Sequence, residues 1–261
     1  MAWLRVSKVN CRLLVLCSIG ISFLFSHTHA KELILVAGWE KPPYVIASQN
    51  SGFEIELMRQ VLASLNHSVS VLYVPYGRTY ETFKREQADI GLTLVAKSGV
   101  PSEILSKPYI SYQNVAISLR ENAALISKQA DLKTLSVIAF QNASKILGEQ
   151  FASAVESNVL YIELPDQRRQ VEMLLNGSVD VVVMDINIFN YLSQQIMGEN
   201  QMDNVHVHSF FPSTQYSAAF KDPTLLTEFD DAFKQFSLSD EYHRLIIQYQ
   251  LIYPDLISGT D

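Results

Sequence analysis

Residues 33–44 read LILVAGWEKPPY, in which an apolar run is followed by a loop containing a tryptophan, two prolines and a tyrosine. A short apolar run of this kind is typical of a buried β-strand, predicted here over 33–37. Leucine, methionine and valine then recur at helical spacing through 53–65, which predicts an amphipathic helix. The strand, the loop and the helix form the unit from which the rest of the fold follows.

Alternating strands and helices extend this unit along the chain. A second strand is predicted over 69–74, a short helix over 79–85 and a third strand over 90–95. This order is typical of a parallel α/β sheet that is covered by helices on both faces.

The alternation restarts after residue 114, which predicts a second lobe of similar size. The strands predicted there are 115–119, 135–139, 179–184, 205–210 and 216–220, and the helices are 143–155, 166–175, 185–196, 223–236 and 240–250. The expected fold class is therefore α/β, with two lobes that each contain a parallel-rich sheet flanked by helices.

The composition excludes several classes of protein. Of the 261 residues, 48% are apolar and 18% are charged, whereas a disordered chain is poor in apolar and rich in charged residues. Acidic residues outnumber basic ones by 27 to 20, which gives a formal net charge of −7. Because nucleic-acid binding normally needs a basic surface to meet the phosphates, no nucleic-acid partner is expected.

Residues 1–30 have the pattern of a cleaved signal peptide. Three basic residues precede an apolar run over 13–25, and Thr28-His29-Ala30 places small residues where a signal peptidase cuts. The alternative is a retained membrane anchor. It is disfavoured because the run is 13 residues long, short of the roughly 20 that cross a bilayer. We therefore expect the chain to be secreted.

Export would leave 17 basic against 27 acidic residues, a net charge of −10. Both cysteines, Cys11 and Cys17, lie in the removed segment, so the exported chain is expected to contain no disulfide and no cysteine-ligated metal. His206 and His208 would share one face of a strand, but no third ligand stands nearby in the sequence. Neither a metal nor a cofactor is expected.

Six short segments match, in order, the motifs of one family of binding proteins. They are Gly38-Trp39-Glu40-Lys41-Pro42-Pro43-Tyr44, Gly52-Phe53-Glu54-Ile55-Glu56-Leu57, Ala88-Asp89-Ile90, Ser106-Lys107-Pro108-Tyr109, the segment from Gly177-Ser178-Val179-Asp180 to Asp185, and Lys221-Asp222-Pro223. With these motifs, the chain resembles the bacterial extracellular solute-binding proteins of family 3, the amino-acid-type periplasmic binding proteins with the type II fold.

The resemblance implies two lobes joined by two hinge strands near 113–119 and 217–221. Lobe one would contain 31–114 and 222–261, and lobe two would contain 115–221. A small polar ligand, amino-acid-like or an amine, would bind between the lobes, which close over it by hinge bending. The implied protein is a monomeric, non-enzymatic receptor of the periplasm. It would pass its ligand to the membrane permease of an ABC importer or, alternatively, signal through a membrane sensor protein.

The resemblance also implies which residues of the first lobe line the cleft. Trp39, Glu40 and Tyr44 lie on the first loop, where one aromatic ring would face the cleft while the other packs under the loop. Glu40 would offer a carboxylate to a ligand amine, with a solvated side chain as the alternative. Tyr76 stands where the family places a stacking aromatic residue, with ordinary core packing as the alternative.

In the second lobe, two segments are implied to contact the ligand. Asp185 matches the aspartate that takes the ligand ammonium, with capping of the next helix as the alternative. Gln141, Asn142 and Ser144 form a turn between a strand and a helix. In the family such a turn offers hydroxyl and backbone N–H groups to the anionic end of the ligand, and helix capping alone is the alternative.

One departure from the family pattern bears on the ligand. Thr93 corresponds to a threonine of the family and is implied to contact the ligand. Amino-acid binders carry an arginine four residues after this threonine, and the arginine clamps the ligand carboxylate. Lys97 stands at that position, and a lysine cannot form the planar, bidentate fork of a guanidinium. Either the ligand lacks a carboxylate or another cation, such as Arg78, takes the place of the arginine.

An enzyme on the same scaffold is the rival interpretation. Cyclohexadienyl and arogenate dehydratases are similar to this family, and their elimination of water needs a positioned acid. Glu40, Glu54 and Asp185 are the available acids. Such enzymes also use an arginine for the substrate carboxylates, so its absence favours binding without catalysis.

Overall fold

The computed structural model describes residues 31–75, 77–85, 87–122 and 126–252. The predicted signal peptide and Tyr76 lie outside the described residues. The strands are β1 (Glu32–Gly38), β2 (Ser68–Val74), β3 (Ile90–Leu94), β4 (Ile110–Tyr112), β5 (Asn114–Leu119), β6 (Val137–Phe140), β7 (Tyr161–Leu164), β8 (Val181–Asp185), β9 (Val205–His208) and β10 (Thr214–Phe220). The helices are α1 (Phe53–Ser64), α2 (Thr79–Arg85), α3 (Ala143–Ile146), α4 (Glu149–Val155), α5 (Gln167–Leu175), α6 (Ile186–Met197), α7 (Pro223–Phe236) and α8 (Asp240–Gln248).

These strands form two five-stranded mixed sheets, one for each lobe. The first has the order β2-β1-β3-β10-β4, and the second has the order β7-β6-β8-β5-β9. In the first sheet β1 pairs in parallel with β2 and β3, and β10 pairs antiparallel with β3 and β4. In the second sheet β6 pairs in parallel with β7 and β8, and β5 pairs antiparallel with β8 and β9. Helices α7 and α8 close the first lobe by packing against α1. The predicted two-lobed α/β class is confirmed.

The second crossing of the chain, from the second lobe back to the first, lies at a different place from the one predicted. We predicted that 217–221 would be a hinge strand of the second lobe. Instead, the strand β10 pairs antiparallel with β3 and β4 inside the first sheet, with Ser217 opposite Leu94 and Thr214 opposite Tyr112. The strand belongs there because its end, Ala218 to Phe220, is buried in the core of the first lobe. The chain therefore returns within 209–213, and the first crossing is at Gln113, between β4 and β5.

Two other local predictions are corrected. The helix predicted over 143–155 is two helices, α3 and α4, because Gly148 adopts a φ of 93° and begins a new helix as its N-cap. The strands β4 and β7 were not predicted. The first has three residues, and the second has no fully buried residue, so neither has the apolar run that identified the other strands.

The core of the first lobe holds the loop that carries the site residues. Strand β1 and helix α1 bury leucine and methionine side chains against each other, including Leu33, Leu35, Leu57 and Met58. The loop after β1 is seated on the start of α1, where the N–H groups of Phe53 and Glu54 donate to the carbonyl oxygens of Pro43 and Tyr44. Because α1 is buried against the sheet, these two hydrogen bonds fix the position of the loop relative to the sheet.

Gly52 makes this seating sterically feasible. Its φ of 125° is a conformation that residues with a Cβ avoid, and an ideal Cβ at this position would lie 2.3 Å from the carbonyl oxygen of Tyr44. No side chain larger than hydrogen fits between the loop and the helix.

Gly52→Ala is therefore expected to lower the free energy of unfolding by more than Gly148→Ala. Both residues have strongly positive φ, so each substitution carries a backbone cost of roughly 1–3 kcal/mol. A Cβ at Gly148 meets nothing within 4 Å, so only Gly52→Ala adds a backbone clash. Urea unfolding of both variants measures the difference, and equal losses would contradict the steric argument.

Candidate functional site

A cleft of about 460 Å³ lies between the two lobes. The first lobe contributes the loop after β1 and the end of β4, through Trp39, Glu40, Lys41, Pro42 and Tyr112. The second lobe contributes the amino end of the antiparallel strand β5, the carboxyl ends of β6, β7 and β8 and the segments that follow these three strands. The residues are Asn114, Phe140, Gln141, Ile146, Pro165, Asp166, Gln167, Arg168, Asp185, Ile188 and Leu192. Ligands of α/β proteins usually bind at such strand ends.

Much of the cleft wall is apolar. Trp39 is 57% exposed, Ile146 is 45% exposed, and both line the cleft. Phe140, Ile188 and Leu192 continue the apolar wall in the second lobe. Tyr44, by contrast, is buried under the loop and stacks on Tyr112 with ring centroids 4.2 Å apart. Of the two predicted aromatic residues, Trp39 therefore reaches the cleft.

On the side of the first lobe, the bottom of the cleft is a buried ion pair between Lys41 and Glu54, which we call the floor. The carboxylate of Glu54 is fully buried, and it accepts hydrogen bonds from the hydroxyl groups of Thr93 (2.6 Å), Tyr109 and Tyr112 (3.4 Å). The ammonium of Lys41 lies 3.8 Å from this carboxylate and donates to Thr93 Oγ1 (3.1 Å) and to the Tyr112 hydroxyl (3.0 Å). Each charge therefore has its counter-charge inside the protein.

Burial shapes the protonation of this floor. It lowers the pKa of Lys41, and attraction to Glu54 and Asp185 opposes that shift. Burial, together with the charge of Glu54, raises the pKa of Tyr109 and of Tyr112 well above the ordinary value. Both tyrosines are consequently neutral hydrogen-bond donors at physiological pH.

Thr93 occupies the centre of this floor rather than the surface of the cleft. Its φ of 55° is a strained conformation for a β-branched residue, and the register of the neighbouring strand β10 shifts at this level. The backbone N–H of Thr93 donates to the Tyr109 hydroxyl, and its own hydroxyl joins Lys41 to Glu54. The predicted ligand group is thus engaged inside the first lobe.

Asp185 joins the lobes at the back of the cleft. Its carboxylate is buried and caps α6, accepting from the N–H groups of Asn187 (2.9 Å) and Ile188 (3.1 Å). It also accepts from the Tyr44 hydroxyl (3.1 Å) and the Gln113 N–H (2.8 Å). Three of these donors meet Oδ1 and the Gln113 N–H meets Oδ2, so Oδ1 is fully occupied and Oδ2 keeps one acceptor position. Burial, only partly offset by these bonds, raises the pKa of Asp185 to about 6.

The turn at 141–144 is occupied by a carboxylate of the protein itself. Glu163, on β7, accepts from the backbone N–H of Asn142 (2.7 Å) and from the N–H and hydroxyl groups of Ser144 (2.9 and 2.7 Å). The Tyr161 hydroxyl donates to the same carboxylate at 2.7 Å. Burial of Glu163 opposes ionisation, but these hydrogen bonds outweigh it and lower the pKa of the carboxyl group.

Only one residue of that turn reaches the cleft. Gln141 is exposed and lines it, whereas Ser144 and Tyr161 line a separate shallow depression. The donors that the family would offer to an anionic ligand therefore face Glu163. The sequence analysis did not identify Glu163, because nothing in the local pattern of β7 links it to a turn some twenty residues earlier.

The charged residues near the cleft are arranged differently from the expectation. Lys97 and Arg78 are exposed, and neither lines the cleft. Arg168, which the sequence analysis did not connect with the ligand, does line it, and its guanidinium pairs with Glu172 at 3.3 Å. Glu40 also lines the cleft, and its carboxylate accepts from the backbone N–H of Ser48 (3.0 Å).

The sequence analysis also did not identify the role of Lys41, and it considered Glu54 only as a candidate acid. Helical spacing contains the signal for Glu54, because it shares a face with the buried residues Leu57, Met58 and Val61. An acid on the apolar face of a helix needs a buried partner. Among the described residues, no group of three or more metal-ligating side chains occurs, and His208 contacts the Ser118 hydroxyl.

The ion pair of the floor is expected to be strongly coupled. Lys41→Met should lower the free energy of unfolding by about 3–5 kcal/mol, because it leaves the Glu54 carboxylate buried without its counter-charge. Glu54→Gln should lower the free energy of unfolding less in the Lys41→Met variant than in the wild-type protein. A double-mutant cycle by urea unfolding measures this difference.

The exposed pair of Lys84 and Glu81 is the matched control, with N···O at 2.7 Å and both side chains more than 40% exposed. Its cycle, Lys84→Met with Glu81→Gln, should give a coupling below about 1 kcal/mol. Similar coupling energies for the two pairs would refute a special role for burial.

Asp185 predicts a pH dependence of stability. Its pKa in the folded protein, about 6, is above its ordinary value of 3.8, so folding disfavours the ionised form. The stability that this group contributes is complete below pH 3.8 and is lost as pH rises through about 6. From about pH 4 to pH 7, wild type should lose up to about 3 kcal/mol relative to Asp185→Asn in urea unfolding.

Asp203→Asn is the control for that experiment, since it removes one negative charge from an exposed position of the second lobe. A constant difference between wild type and Asp185→Asn across this pH range would show that the carboxyl does not titrate there.

Comparison with known proteins yields structural matches alone. No protein-family model matches the chain, and no curated protein sequence matches it. One similar structure is an ancestral amino-acid-binding protein described as a precursor of cyclohexadienyl dehydratase, at 19% identity and a TM-score of 0.62, covering 84% of this chain and 95% of the other.

Two further structures place the same architecture in different settings. A histidine kinase sensor domain with similarity to periplasmic binding proteins matches at 15% identity and a TM-score of 0.65, covering 84% of this chain and 95% of the other. The substrate-binding protein of an amino acid ABC transporter matches at 16% identity and a TM-score of 0.59, covering 84% and 98%. The chain therefore has the two-lobed α/β fold of periplasmic binding proteins.

Proposed function

We propose that this protein is a secreted, non-enzymatic receptor that captures a small solute between its two lobes by hinge closure. The observation that carries the proposal is the cleft of about 460 Å³, whose opposite walls belong to two separate sheets. Because the chain links the sheets only through short segments of the described residues, at 113 and 209–213, rotation about these segments would open and close the cleft.

The state of the acids supports binding over catalysis. Glu54 accepts from hydroxyl groups inside the floor, and Asp185 caps α6 and accepts from four donors of the protein, so both carboxyl groups are engaged in holding the fold. Glu40 is exposed to water on the first loop. A dehydratase needs an acid held against the leaving hydroxyl, and these residues do not offer that arrangement.

The closed receptor would act on a membrane partner from the periplasm. Delivery to the permease of an ABC importer is the first proposal, and signalling through a membrane sensor is the alternative. The structural matches support both, since one is a transporter subunit and another is a sensor domain. Within the described part of the chain, no helix is long and apolar enough to cross a membrane. Copurification with a permease or with a sensor would separate the two proposals.

Trp39 provides the test, because residues 31–261 contain no other tryptophan. It lines the cleft and is 57% exposed, so closure over a ligand should shift its emission to shorter wavelength. We expect a hit from a solute library of amino acids, amines, peptides, nucleosides, alcohols and organic acids. At a concentration of 100 Kd, the hit should also stabilise the protein by about 2.7 kcal/mol in thermal unfolding.

Small-angle scattering provides the independent readout of closure. The radius of gyration should fall when a hit is added and stay constant with a non-binding solute of similar size. A protein that binds no member of the library and shows no compaction would contradict the receptor proposal.

A further inference from the structure

We infer that the cleft accepts an uncharged solute with an apolar body, and that it is not built for the zwitterion of an α-amino acid. This inference rests on the proposed receptor function and names the chemical class of its ligand. The argument combines the positions that would hold an ammonium, those that would hold a carboxylate, and the remaining wall of the cleft.

The position for a ligand ammonium is largely taken. Oδ1 of Asp185 already accepts from the Tyr44 hydroxyl and from the N–H groups of Asn187 and Ile188, and Oδ2 accepts from the N–H of Gln113. Oδ2 keeps one acceptor position, but Lys41 lines the same cleft and its ammonium already attracts the Asp185 carboxylate. A ligand ammonium at Asp185 would therefore meet a like charge.

Two further carboxylates line the cleft, those of Glu40 and Asp166. Both residues are exposed, and their side chains already accept from the backbone N–H groups of Ser48 and Arg169. An exposed carboxylate that remains in water gives a ligand ammonium little energy.

The positions for a ligand carboxylate are also filled. The turn donors of Asn142 and Ser144 bind Glu163 and do not line the cleft. Lys41 lines the cleft, but its ammonium is neutralised by Glu54 and donates to two hydroxyl groups. The protein thus supplies an internal carboxylate and an internal ammonium where a ligand's own charges would otherwise be required.

Arg168 is the remaining cation of the cleft wall. Its side chain is 52% exposed at one end of α5 and shares its charge with Glu172. An exposed and already paired guanidinium gives a ligand carboxylate much less energy than a desolvated, bidentate clamp. Arg168 therefore does not compensate for the absent arginine after β3.

The rest of the wall suits an apolar body. Trp39 and Ile146 face the cleft from opposite lobes while still largely exposed, and closure would bury them against a ligand. Apolar surface removed from water contributes roughly 25 cal/mol per Å². Gln141 and Gln167 offer uncharged hydrogen-bonding groups that match a hydroxyl or carbonyl. A charged ligand would lose its hydration here and would meet only exposed or already paired counter-charges.

The test uses three solutes that share one ring: 2-phenylethanol, 2-phenylethylamine and L-phenylalanine. None of them absorbs where tryptophan can be excited selectively, so Trp39 emission reports binding of each to residues 31–261. We expect 2-phenylethanol to bind at least about 10-fold more tightly than L-phenylalanine, which corresponds to about 1.4 kcal/mol. The amine should fall between them or bind as weakly as the amino acid.

A pair of matched variants tests whether the apolar wall is the contact. Ile146→Asp places a carboxylate in the cleft, and we expect it to weaken 2-phenylethanol by about 10-fold. Ile247→Asp makes the same change at a residue of α8 that is 74% exposed and outside the cleft, and it should leave the affinity within about 2-fold. Both positions are exposed, so neither variant should unfold. Equal effects of the two variants would refute the contact.

Three results would overturn the inference. Tighter binding of L-phenylalanine than of the alcohol would do so, and its loss in Arg168→Ala would then assign the carboxylate to Arg168. Binding of a charged solute from the library, with none of the phenyl series binding, would also reject the inference while the receptor function stands. Failure of every solute, together with no compaction in scattering, would reject both proposals.

Discussion

The buried carboxylate of Glu54 is the constraint on which the first lobe depends. It stands at the start of α1, on the face that packs on the sheet, and cannot reach water. Its oxygens therefore draw in the hydroxyl groups of Thr93, Tyr109 and Tyr112 and the ammonium of Lys41. These residues come from the loop after β1, from β3 and from the segment around β4. The need to stabilise this buried charge thus brings three separate segments together beneath the cleft.

Asp185 links the two lobes through a similar set of hydrogen bonds to a buried carboxylate. By accepting from the Tyr44 hydroxyl, it ties the second lobe to the first loop, directly above the hinge at Gln113. The C-terminal segment adds another tie, since the backbone N–H of Ile252 donates to the side chain of Asn187 at 2.6 Å. The proposed hinge motion would therefore turn about this polar cluster, which links the two lobes at the back of the cleft.

Both clusters leave the cleft with its charges largely satisfied from within. The acids and the buried lysine stabilise the fold of each lobe and the contact between lobes, and Glu163 does the same for the turn after β6. What faces the ligand space is an aromatic and aliphatic wall with a few amide groups, together with the exposed charges of Glu40, Asp166 and Arg168 at the surface. A cleft whose buried charges are paired inside the protein suits the uncharged solute that we propose.

Local patterns in the sequence determined the two α/β lobes and most strand and helix positions, and the family resemblance implied Trp39, Glu40, Gln141 and Asp185 as residues of the cleft region. They could do so because apolar periodicity and motif spacing act over a few residues. Tertiary structure alone decided which polar groups remain available to a ligand. The bond from Tyr44 to Asp185 spans 141 positions, and the placement of β10 in the first sheet depends on strands far away in the chain. A polar group forms its hydrogen bond with whichever partner the tertiary packing brings within about 3 Å. That partner can be far away in the chain, so the neighbouring sequence does not identify it.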